Sequence, residues 1–169
     1  MVRQAQQVAL PFAKSGQIKK NTRPKDIAHM TDKIKMAGQF IQALPHARAL
    51  GMDLERLDPG EAVISMPYAE KLIGDPKTGV VHGGAVSALM DTCCGAAVMS
   101  HPSNPSLTAT MDLRIEYLRA ATPGHRITTT ATCYHVTRSV AFVRATATDE
   151  DAGTPVATAT GTFTVEVKR

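Results

Sequence analysis

The sequence predicts an α+β domain in which an antiparallel β-sheet curls around one long central α-helix, with a further helix ahead of it. Three observations predict this. Residues 84–98 are apolar on almost every side, the mark of a buried helix. Period-two runs joined by short turns lie before and after it, which implies antiparallel strands. No other stretch is apolar enough to be wrapped, so the sheet has to close around this one. The 169 residues make one domain, or one domain plus a tail, with enough chain to bury a core.

Residues 1–25 are polar and basic, and we expect a mobile tail there, ahead of a single domain over 26–169. Ile27, Met30, Ile34, Ala37, Ile41 and Leu44 recur at alternating spacings of three and four, which predicts an amphipathic helix over 26–44, with Asp26 near its start and Pro45 ending it. The period then changes to two. Ala49–Leu57 reads as a strand, Asp58-Pro59-Gly60 as a turn, and Glu61–Met66 as the partner strand. Residues 67–79 read as a loop, followed by the buried helix and a second loop at His101-Pro102-Ser103-Asn104-Pro105. In the strand over 107–118, Leu107, Ala109, Met111, Leu113, Ile115 and Tyr117 are expected on one face, with Thr108, Thr110, Asp112, Arg114 and Glu116 on the other. Strands over Arg126–Val136, Val140–Thr148 and Pro155–Val167 complete the chain.

The central stretch carries the chemistry. Between Lys77 and Asp112 the only charged residue of the Asp, Glu, Lys and Arg types is Asp91. A carboxylate in apolar surroundings is costly unless neutralised, hydrogen-bonded or retained for a task. At the other end, His82-Gly83-Gly84 opens the helix. The first turn offers free N–H groups and a partial positive charge, and the glycines let another group approach closely. Such a place suits the charge that develops on a carbonyl oxygen during acyl transfer. Gly83 and Asp91 are eight residues apart, about 12 Å along a helix, whereas reacting atoms must come within about 3–3.5 Å. One helix cannot bring both to one carbonyl. Two antiparallel helices can, so if both groups act in one reaction the site is shared across a two-fold dimer.

The words Gly79-Val80-Val81-His82-Gly83-Gly84, then Leu89-Met90-Asp91, then Thr110-Met111-Asp112-Leu113-Arg114 resemble those of the hot-dog fold. The likeness is nearest to acyl-CoA thioesterases of the phenylacetic-acid-degradation type, and it covers roughly residues 40–167. It implies that Asp91 attacks the thioester or activates water against it. It implies that the Gly83 N–H is the oxyanion donor, supplied by the opposite subunit, that His82 shapes the same pocket and that Thr110 holds the water. Gly79 and Gly84 fall in the substrate-binding stretch. Arg138 and Ser139, at a strand junction, are either solvated hairpin residues or contacts to the nucleotide part of coenzyme A, for whose phosphates Arg is suited. Relatives often place an Asn before Gly79; here the loop reads Gly74-Asp75-Pro76-Lys77-Thr78. Some use Glu where this chain has Asp91. Coenzyme A would enter as part of the substrate, with no separate cofactor, and the assembly would be a dimer with shared sites or a tetramer.

Composition narrows the partners. Residues 1–25 hold six of the 19 Lys and Arg and none of the 15 Asp and Glu, leaving 13 basic residues in the body. A slightly acidic body argues against nucleic-acid binding. No apolar run approaches the roughly 20 residues a bilayer requires, so no membrane span is expected. Cys93, Cys94 and Cys133 form no disulfide framework and suit a reducing compartment. With no signal-peptide pattern seen, a cytoplasmic location is expected. His101, His125 and His135 lack metal-ligand spacing, so no metal is assigned. The expected activity is hydrolysis of acyl-CoA to acid and thiol. A non-catalytic acyl-CoA-binding or regulatory module and a hydroxyacyl-thioester dehydratase are the rival readings. The dehydratase wants an acid–base His paired with a carboxylate in a pattern not found here.

Overall fold

A computed structural model describes residues 41–103, 105–151 and 153–167. The basic tail and most of the expected 26–44 helix lie outside the described residues; 41–43 fall inside and are helical. The helical residues 41–43 stop at Leu44, ahead of Pro45 as expected, but Pro45 also opens a second helix, α1 (Pro45–Leu50), since a proline in the first turn has no N–H to lose. Ala49 and Leu50, expected to begin a strand, therefore belong to this helix. Gly51, at φ 69°, closes it in the left-handed conformation that glycine adopts without penalty. Met52 then turns inward, fully buried, with its N–H on the Ala47 carbonyl at 2.9 Å.

The strands follow in order. β1 (Asp53–Asp58) and β2 (Glu61–Met66) form a hairpin through Pro59-Gly60. The expected loop over 67–79 holds a 3₁₀ turn (Glu70–Leu72) and the strand β3 (Ile73–Asp75), which pairs with β4 (Val80–Val81). Then come α2 (Gly83–Met99), β5 (Pro105–Tyr117), β6 (Ile127–Val136), β7 (Val140–Thr148) and β8 (Ala157–Val167). The main sheet runs β1-β2-β6-β7-β8-β5 with every neighbour antiparallel, so β1 and β5 are its edges. This is the hot-dog arrangement that the resemblance implies.

The inner face of the sheet is lined by small residues. Ala131, Ala141, Ala145, Ala147, Ala157 and Ala159 are all buried. Alternation along β6, β7 and β8 places them on one side, and their size lets the helix lie close. Ile64, Met66, Ile127, Val143 and Phe163 fill the remaining space against Leu89, Met90 and Val98.

Two features depart from expectation. The helix is not buried all round within one chain. Pairs of buried residues (Ala85-Val86, Leu89-Met90, Cys93-Cys94, Ala97-Val98) alternate with half-buried pairs (Ser87-Ala88, Asp91-Thr92, Gly95-Ala96). The sheet covers the first face only. Nor does β5 keep one alternation. Thr110 pairs with Phe163 and Asp112 with Thr162, so Met111 is an extra residue, a β-bulge. One extra residue exchanges the faces of a strand. Beyond the bulge, Leu113 and Ile115 pack on the core as expected. Before it, Leu107 (62% exposed) and Met111 (60%) point away from the helix, while Thr110 reaches it. Gly161, opposite Leu113, makes room for this: a Cβ there would lie 2.5 Å from the Asp112 carbonyl oxygen.

Among the described residues no helix is long and apolar enough to cross a membrane.

Candidate active site

The site is built from the two ends of one helix–strand pair. Asp91 sits in the third turn of α2, on the half-buried face. The Thr110 hydroxyl donates to its Oδ1 at 2.7 Å. The bulge makes this bond possible, since an unbroken alternation would put Thr110 on the far side of the sheet from Leu113. Thr110 was expected to hold a water; the structure shows it bonded to the carboxylate itself. Among the described residues no group hydrogen-bonds Asp91 Oδ2.

The opening of α2 is tied down group by group. His82 is the N-cap, extended at φ −61° and ψ 132°. Its N–H donates to the Leu72 carbonyl at 2.7 Å, and its carbonyl accepts from the Ala85 N–H at 2.9 Å. Its Nδ1 accepts from the Gly84 N–H at 2.9 Å, which places the proton of a neutral ring on Nε2. A Cβ on Gly84 would stand 2.9 Å from that same Nδ1, so the cap requires a glycine there. The Gly83 N–H takes no partner among the described residues. It points out of the positive end of the helix, where an anionic oxygen is stabilised.

Two residues that the sequence reading did not single out join this end. The Tyr117 hydroxyl donates to the Gly83 carbonyl at 2.7 Å. Ser87 Oγ lies 2.7 Å from the same tyrosine oxygen and 3.2 Å from the Gly83 carbonyl. For Ser87 a signal exists in the sequence: it follows Gly83 by four residues, the spacing at which a hydroxyl bonds back to a helical carbonyl. For Tyr117 there is none beyond its place on the helix-facing side of β5.

A hollow of about 280 Å³ adjoins Gly83, lined by Val80, Val81, Val86, Tyr117, Ala121 and Val156 among others. Arg119 at its rim grips buried Asp149 through both terminal guanidinium nitrogens, at 2.7 and 2.6 Å. Asp149 also accepts from the Thr122 and Asp151 N–H groups. The hydrogen bonds from Arg119 hold the Asp149 carboxyl well below the usual carboxylate range.

The remaining expected site residues lie elsewhere. Gly79, at φ 76°, completes the turn after Asp75, and Tyr68 donates to its carbonyl at 2.9 Å. Asp75 accepts from Thr78 Oγ1 and the Lys77 N–H, so this loop's carboxylate is engaged by its own turn. Arg138 and Ser139 form the exposed β6–β7 turn. Val140 and Ala109 both pair with Thr164, which puts that turn at the Thr110 end of the sheet and away from Gly83. Among the described residues no cluster of His, Cys, Asp and Glu is placed to hold a metal ion.

The family model for the thioesterase superfamily matches residues 78–156, which spans β4, α2, β5, β6 and β7. A solved structure from Pseudomonas aeruginosa is 38% identical, with a TM-score of 0.69 over 78% of this chain and 97% of its own. The chain belongs to the thioesterase superfamily. It is, in class, a thioester hydrolase. The medium/long-chain acyl-CoA thioesterase YigI of Salmonella typhimurium is 29% identical over 146 residues, 78% of this chain and 93% of its own. A variant of the phenylacetic acid degradation protein PaaI of Thermus thermophilus is 29% identical at a TM-score of 0.63, covering 71% of this chain and 97% of its own.

Proposed function

We propose that this thioesterase hydrolyses acyl-CoA, converting R–CO–S–CoA and water to a carboxylic acid and free thiol, at sites shared between two copies of the chain. The observation that carries the reading is the pair of unfinished groups on one helix. The Gly83 N–H has no partner among the described residues, and Asp91 is held by Thr110 with Oδ2 open. They stand about 12 Å apart along the helix, too far to serve one carbonyl.

On this reading the Gly83 N–H of one copy polarises the thioester carbonyl. Asp91 of the other copy attacks the carbonyl carbon or removes a proton from the water that does. The tetrahedral intermediate then expels the coenzyme A thiolate, which leaves as thiol once protonated; where Asp91 is the nucleophile this leaves a mixed anhydride, which water hydrolyses to free the acid and restore the carboxylate. Thr110, through its bond to Oδ1, aims the second carboxylate oxygen. The apolar hollow beside Gly83 takes part of the substrate's chain. Two surfaces support the pairing of copies: the half-buried small-residue face of α2 that carries Asp91, and the unpaired edge of β5 with Leu107 and Met111 outward. An edge of that kind is prone to pair with another chain.

The experiment is thiol release from a panel of short, medium, long and aryl acyl-CoA thioesters by wild type and Asp91→Asn. The variant keeps fold and assembly while turnover drops by about 100-fold or more, the scale of lost acid–base assistance. Near-normal turnover by Asp91→Asn would remove the carboxylate from the mechanism.

A further inference from the structure

The backbone at Gly83-Gly84 presents a physical conflict. Glycine is the most freely moving residue, yet a donor for a developing oxyanion has to be fixed in place before the reaction. Two glycines in succession make the opening of α2 the softest point of the helix at the place where rigidity counts most. We propose that Tyr117, backed by Ser87, is the positioning residue that resolves this conflict, so that the Gly83 N–H stays aimed at the substrate; this rests on the acyl-CoA hydrolase reading above.

The bonds form a chain. Tyr117 has one proton, and it goes to the Gly83 carbonyl. Its oxygen is then the acceptor in the 2.7 Å contact with Ser87, whose one proton turns either to it or to the Gly83 carbonyl 3.2 Å away, so that both positions bear on the same carbonyl. A hydroxyl that accepts a bond becomes a better donor, so Ser87 strengthens the hold on the carbonyl. The peptide unit whose carbonyl Tyr117 holds has as its N–H that of Gly84, which is bound by His82 Nδ1. Both ends of the Gly83–Gly84 peptide are thus tied. The preceding peptide is tied at the His82 carbonyl by Ala85. Among the described residues the Gly83 N–H alone remains without a partner here, in a direction set by its neighbours. The tyrosine ring also covers the glycine: a Cβ at Gly83 would lie 3.4 Å from Tyr117 Cζ and Oη. The hold reaches across elements, from β5 to α2, so it is not replaced by the helix's own bonds. At 49% exposure Tyr117 contributes little to the core, and neither its hydroxyl nor that of Ser87 is explained by packing.

Tyr117→Phe deletes the hydroxyl and keeps the ring. We expect kcat to fall about five- to ten-fold, the scale of one neutral hydrogen bond, with KM within about two-fold because the wall of the hollow is unchanged. Ser87→Ala lowers kcat about two-fold by the same route. In both variants the Gly84 amide exchanges faster with solvent, while amides in the middle of α2 do not change. That readout is independent of catalysis. Asp91→Asn is assayed alongside. Loss of turnover in Asp91→Asn with unchanged kcat in Tyr117→Phe would overturn the positioning role and leave the hydrolase reading standing. A rise in KM at constant kcat would make Tyr117 a binding wall and overturn the proposal. Unchanged Gly84 exchange in Tyr117→Phe would overturn it whatever Asp91→Asn does.

Discussion

Alanine at Gly161 tests whether the bulge in β5 is held by the strand beside it. The added Cβ would meet the Asp112 carbonyl oxygen at 2.5 Å, Leu113 Cδ1 at 2.9 Å and Leu113 Cα at 3.2 Å. Two of these three atoms are backbone, so rotating one side chain does not relieve the contact. The nearest approach falls about 1 Å short of ordinary van der Waals distance, and β5 has to move off β8 by a comparable amount at the bulge. Overpacking of this kind costs about 1–3 kcal/mol. The backbone character of the clash favours the upper half, about 2–3 kcal/mol, or a Tm lower by roughly 4–12 °C for a chain of this size. Because the displaced segment carries Thr110 to Asp91, activity falls as well, at temperatures where the variant is folded. Gly153→Ala is the control, since among the described residues its Cβ would meet nothing within 4 Å. Thermal and urea unfolding should show a loss of stability for Gly161→Ala and little change for Gly153→Ala. A Gly161→Ala protein as stable as wild type would refute the claim that the bulge is set by contact with β8.

Two further outcomes follow from the interior. Asp149 has its carboxyl lowered by Arg119, so the unfolded chain binds its proton more readily than the folded one. The stability it contributes is present above the unfolded value of about 3.9 and is lost as pH falls below that toward the lowered folded value. Thermal scans from pH 6 to pH 3 should show a falling Tm in wild type, and Asp149→Asn should lower Tm at pH 6 while flattening that acid slope; parallel curves would refute the assignment. Cys93 is fully buried and burial pushes its thiol up to about 12; burial raises Cys94 and Cys133 too. A thiol reagent at pH 8 should therefore find all three free cysteines only after denaturant is added, and rapid labelling in native buffer would count against this core.

What could be read from the residues was whatever depends on local pattern. β2 and β7 begin and end where their alternation does, because each is bounded by a turn and faces one core. The position of α2 was legible because nothing else in the chain is as apolar, and Asp91 stood out by being the sole charge in that stretch. The errors have a common origin in signals with two meanings. Pro45 follows the end of one helical stretch and begins another, and only the first role was read, because the extended Leu44 between them has no mark in the sequence. In β5 the alternation of Leu, Ala and Met with Thr runs straight through Met111, because an outward apolar residue at a sheet edge looks the same as an inward one. Nothing local marks the extra residue. Its compensation, Gly161, lies far along the chain on another strand. Tyr117 was missed for a related reason: its partner is a main-chain carbonyl, which leaves no imprint on side-chain pattern, whereas Ser87 carried a signal in its four-residue spacing from Gly83.

The bulge also explains how one strand serves both ends of the site. Tyr117 must face α2 to reach Gly83, and Thr110 must face α2 to reach Asp91. They are seven positions apart, an odd number, so in a regular strand they point to opposite faces. One extra residue between them restores a common face. The same insertion turns Leu107, Ala109 and Met111 outward at the edge, which leaves an apolar strip beside the half-buried face of the helix. On the proposed reading the two consequences belong together. The step that aligns Thr110 with the carboxylate also creates the surface on which a second copy brings its Gly83 N–H to that carboxylate. A strand without the bulge would lose the support of Asp91 and the pairing edge at once.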